Sequence, residues 1–151
     1  MPLHSAIFAF LHHLTAFTLF AAIVLEFVLI QGEITASSAR RLGRTDMVLG
    51  ISAGVLLVVG ILRVFYFEKG AEYYFGSAFF LAKFGIFLLV SLLSIIPTMA
   101  FLSWRRAARA GQAPVVTPGQ LRLIKLVIHT ELLGVVLIML FAALMARGLE
   151  V

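Results

Sequence analysis

Apolar positions run almost unbroken over four stretches of the chain: roughly Ser5 to Ile30, Met47 to Phe67, Ser77 to Trp104 and Leu121 to Ala146. A spanning helix takes about 20 mostly apolar residues, and each stretch meets that length. The connections between them are polar or carry helix breakers. Gln31 to Thr45 holds a first basic cluster, and Glu68 to Gly76 is short, acidic and aromatic. Arg105 to Gln120 holds a second basic cluster together with Pro114, Pro118 and Gly119, which reads as a loop. Thr117 with Gln120, either side of Pro118, is placed to cap the fourth helix. The pattern predicts an all-α fold, an integral membrane antiparallel four-helix bundle, with residues 1–151 forming a single transmembrane domain.

Composition agrees. Of the 151 residues, 62% are hydrophobic and 13% charged, against about 45–50% and 25% in soluble domains. With a mean hydropathy of +1.11, the chain has more apolar surface than a soluble globule of this size could bury. Disorder is excluded by the same figures. The beginning of the chain lacks a basic leader segment, and its apolar run exceeds a signal-peptide core, so the first span is expected to be retained.

Charge then sets an orientation. The chain carries 12 basic and 7 acidic residues, a formal net charge of +5. Arg40, Arg41 and Arg44 fall in the first long connection, and Arg105, Arg106, Arg109, Arg122 and Lys125 in or near the third. With four spans both clusters face one side, the cytoplasm, and both termini lie outside it. The expected location is the bacterial inner membrane. This distribution accounts for the basic balance through lipid and topology, not nucleic acid. Tyr66, Tyr73, Tyr74 and Trp104 fall at interfacial depths. Gly50 and Gly54 form a small-xxx-small pair that suits a close helix contact or self-association into a homo-oligomer. No cysteine is present, which removes disulfides, thiolate metal sites and covalent c-type haem attachment.

Ionisable residues inside apolar spans carry the functional information, because each costs roughly 2.5–3.5 kcal/mol at mid-membrane. His12, His13, Arg63 and Lys83 fall in the outer half; Glu26, His129 and Glu131 fall in the inner half. His12 and Glu26, fourteen residues apart, lie within about 40° on one helical face. His13 is turned about 100° away, so at most one of the two imidazoles points squarely inward. His129 and Glu131 sit about 200° apart and cannot serve one compact site. Met139 falls near the depth of His12 and could complete an axial pair.

An inward imidazole level with Arg63 and Lys83 suits haem b, with His12 or His13 on the iron and the cations on the propionates. Copper, held by imidazole and thioether, is the alternative. A proton path through Glu26, His129 and Glu131 is a third reading. Over its whole length the chain resembles bacterial four-helix membrane proteins related to the HemJ-type protoporphyrinogen oxidases and the copper-resistance D membrane domain. The matching features are His12 or His13 early in the first helix, Arg40 and Arg41 after it, Lys83 in Phe-Leu-Ala-Lys-Phe, and Glu131 in His-Thr-Glu-Leu. The resemblance implies haem b on a first-helix histidine, catalytic roles for Lys83 and Glu131, and quinone as electron acceptor. The chain departs from that pattern at Thr130 and Leu132, which flank Glu131, and at Leu25 and Glu26.

Overall fold

A computed structural model of the chain describes residues 3–67 and 69–147, so Glu68 of the second connection lies outside the described residues. Four apolar helical rods follow one another up and down. α1 spans Leu3–Leu29. α2 spans Ala36–Leu62 and continues into a π-helical turn over Arg63–Phe67. A short α3, Ala71–Phe75, crosses the connection; α4 (Ala78–Leu93) and α5 (Ile95–Arg109) make up the third rod, and α6 spans Pro118–Ala146. All four rods are long and apolar enough to cross a membrane. The termini and α3 share one end of the bundle, here the terminal end. The basic connections share the other, the basic end.

Each helix starts where local chemistry allows it. The Thr35 hydroxyl accepts from the Ser38 amide while the Ser38 hydroxyl accepts from the Thr35 amide, a capping box at the start of α2. The Thr117 hydroxyl accepts from the Gln120 amide, and Pro118 occupies the first turn, as the sequence predicts. α5 ends in a Schellman motif. Gly111 takes φ +75°, while the Gln112 amide donates to Ala107 O and the Gly111 amide to Ala108 O. Arg40 also donates to Ala108 O at 2.7 Å. One arginine of the basic clusters therefore ties α2 to the carbonyl end of α5, where a cation is favoured.

The rods differ from the apolar stretches in two places. α2 begins at Ala36, well before Met47, because the polar segment around Arg40 and Asp46 keeps its core-facing positions filled: Ala39, Leu42, Thr45, Asp46 and Leu49 are all buried. The third rod is broken at Ser94, three residues before Pro97. Proline lacks the amide that would bond Leu93 O and bends the rod there. The break has an architectural result. α4 leans on α6 and α5 leans on α2, while α1 bridges α2 and α6. Space opens between α2 and the third rod.

Two surface expectations are corrected. Trp104 is only 3% exposed and packs with Phe101 inside the core, because α5 presents that face to α2; Tyr66, at 76%, is the outward ring. Gly50 and Gly54 make no close contact within the chain, since a Cβ on either meets nothing within 4 Å. The close approach is made instead by Gly134 on α6, where a Cβ would collide with the Val90 side chain of α4.

Candidate functional site

Inward positions on α1 recur at Ser5, His12, Leu19, Ile23, Glu26 and Ile30, all buried but for the partly exposed His12. This is the spacing of one helical face. The stripe carries His12 into a cavity of about 260 Å³ near the terminal end, close to the lower bound of about 300 Å³ for small-molecule sites. The imidazole lies beside Gly60 of α2, whose Cβ, if present, would stand 3.6 Å from His12 Cε1. Arg63, at the start of the π-helical turn, and Lys83, on α4, line the same cavity. Three residues from three rods thus meet at one level, as their depths in the sequence imply.

The rest of the wall is aromatic and aliphatic. Phe80, Phe84 and Phe87 line it from α4, while Tyr74 and Phe75 of α3 cover its terminal side. Tyr74 is buried with Val64 and Phe80 in a small core of its own. The Tyr74 and Phe80 rings lie 5.3 Å apart, Phe75 and Phe80 5.6 Å, and Phe80 stacks on Phe84 at 5.9 Å. Lys83 Nζ stands 5.3 Å from the Phe80 centroid, within reach of a cation–π attraction. Ser5 Oγ donates to Phe67 O at 3.2 Å, fastening the end of the π-helical turn to α1.

Other sequence candidates fall elsewhere. His13 is exposed, with Nδ1 2.6 Å from Ala9 O, as its 100° offset requires. Met139 is 55% exposed on the outer face of α6; Ile138, Ala142 and Met145 are the α6 residues that line the cavity. Met139 matches His12 in depth, but the inward stripe of α6 passes through Ile138, Ala142 and Met145, and that face decides. His129 is also exposed, edge-on to Phe27 at 4.9 Å, with Nδ1 2.6 Å from Lys125 O. Glu131, two residues on, is wholly buried. It does not reach the His12 cavity.

Glu131 lines a second cavity of about 250 Å³, with Ser91, Ser94 and Thr98 of the third rod as its other polar residues. Phe87 and Ile138 line both cavities and separate them. Glu26 and Asp46 act electrostatically on Glu131's neighbourhood: Asp46 and Glu131 are the charged groups that Glu26 senses. Thr98 Oγ1 donates to Asp46 Oδ1 at 2.7 Å. Sequence reasoning left out Asp46, placing it just before the second span. The Arg40–Asp46 segment has buried positions at helical spacing, and that signal was available.

The outer donor set fits haem b in kind. It offers one imidazole, a thioether on Met145, two cations at the same level and a wall of rings against which a flat macrocycle would stack. Among the described residues no three His, Asp or Glu side chains gather in metal-binding geometry.

The chain belongs to the DUF2214 family of predicted membrane proteins, whose family model matches residues 4–150. No curated protein and no solved structure matches it.

Proposed function

We propose that this membrane protein binds haem b in the His12 cavity and serves as an electron carrier or oxidoreductase of the bacterial plasma membrane, with quinone as acceptor. The observation that carries the reading is the convergence of His12, Arg63 and Lys83 on one aromatic cavity from three separate rods. His12 supplies a neutral nitrogen, and Met145 stands on the same wall. Arg63 and Lys83 supply charge for two carboxylates. Tyr74 and Phe75 keep water from the terminal side. Haem, when bound, would contribute one-electron transfer. The basic connections favour the cytoplasm for their end, so the cavity lies toward the outer leaflet.

The test is optical. Protein expressed with ample haem and purified in detergent should show a reduced-minus-oxidised spectrum with Soret and α bands. His12→Ala should abolish those bands, and His13→Ala should leave them in place. A colourless wild-type protein, or bands that survive His12→Ala, would overturn the proposal.

A further inference from the structure

The second cavity is built for the opposite charge. Glu131 and Glu26 are both fully buried, and none of their four carboxyl oxygens has a hydrogen-bond partner. Ser94 is the polar group beside Glu131, yet no bond forms between them. Leaving a buried carboxylate unpaired costs several kcal/mol. No lysine, arginine or histidine lines this cavity.

Its hydroxyls point their hydrogens elsewhere. Ser91 Oγ donates to Phe87 O at 2.8 Å, and Thr98 Oγ1 donates to Asp46 at 2.7 Å. What these two offer the cavity is lone pairs. Pro97 leaves Leu93 O without its helical donor, adding an acceptor next to Ser94. A lining of acceptors around an unpaired carboxyl suits a cation or a proton-bearing acid and repels an anion. The charged groups that face it are Glu26 from α1, Asp46 from α2 and Glu131 from α6; α4 and α5 contribute hydroxyls alone.

We propose that this cavity is an exchangeable site for a small monovalent cation, a proton or a sodium ion, held at the Glu131 carboxyl. The site is independent of whatever occupies the His12 cavity. Phe87 and Ile138 stand between the two.

The experiment labels the intact wild-type protein in detergent with a hydrophobic carbodiimide, which modifies carboxyls in their protonated form, and reads the Glu131 peptide by mass spectrometry. If a proton is the occupant, labelling slows about tenfold per pH unit above the titration midpoint of the site and is indifferent to sodium. If sodium is the occupant, sodium chloride at fixed pH protects Glu131 about tenfold relative to choline chloride at a concentration ten times its Kd. Either result supports the site. A Glu131 that stays unmodified throughout, or is modified at a rate that neither pH nor sodium alters, overturns it. Glu26→Gln keeps the cavity and should still label at Glu131. Because the readout needs no haem, its failure is separate from failure of the optical test.

Discussion

The two cavities of this bundle share a wall and almost nothing else. Near the terminal end, His12, Arg63 and Lys83 face rings from α3 and α4; beyond Phe87 and Ile138, Glu131 faces hydroxyls and senses two further acids. Positive and negative groups that could have neutralised one another are kept apart along the axis. Buried ion pairs within the bundle would have answered the desolvation cost of both sets. Their separation leaves each end with an unmet demand for a ligand of opposite sign. The lesson is that the placement of charge, more than its amount, distinguishes a functional bundle from one that uses buried charges to fix helix register.

The sharpest way to break that contrast is to remove cations from the first cavity. Lys83→Met and Arg63→Met, which keep the apolar stem, should each weaken haem binding about 10- to 100-fold, since a hydrogen bond to a charged group is worth about 1.5–3 kcal/mol. A haem titration of the apo-protein measures this. Equal affinity in both variants would detach the cations from the site. Next in size is Gly134→Val, which drives a branched side chain into Val90 where α4 and α6 touch. Overpacking of that kind costs about 1–3 kcal/mol, seen as a lowered unfolding midpoint in detergent. Gly54→Ala, on the open face of α2, should change the midpoint little or raise it, within about 1 kcal/mol. Smaller again is Thr98→Val, which strips Asp46 of its donor. A loss of about 1 kcal/mol is expected, with no change in haem affinity because Asp46 belongs to the second cavity's surroundings.

The sequence discloses the four rods, the capping of α6 and the shared level of His12, Arg63 and Lys83, because hydropathy and depth are one-dimensional properties. The opposed faces of His129 and Glu131 follow from helical pitch alone. What hydropathy hides is the direction of a side chain once two candidates share a depth. Met139 and Met145 differ in that respect, and only the buried stripe of α6 separates them. Asp46 escapes notice because a helix starting at Ala36 carries polar residues into the bundle, where an apolar-run criterion does not look. Tyr74 and Phe75 depend on a five-residue helix, Ala71–Phe75, too short for any periodicity to announce.

The π-helical turn at Arg63–Phe67 carries a consequence for how this protein could change. Such a turn holds one residue more than the α-helical path it replaces. Deleting a single residue there would keep the rod continuous, yet everything after it would swing about 100° around the axis. The aromatic cover would then be carried off its seat, and an insertion of one residue would misplace it in the other sense. Length variants in this short stretch would therefore act as on–off alleles for the neighbouring chamber while leaving the membrane-embedded scaffold assembled.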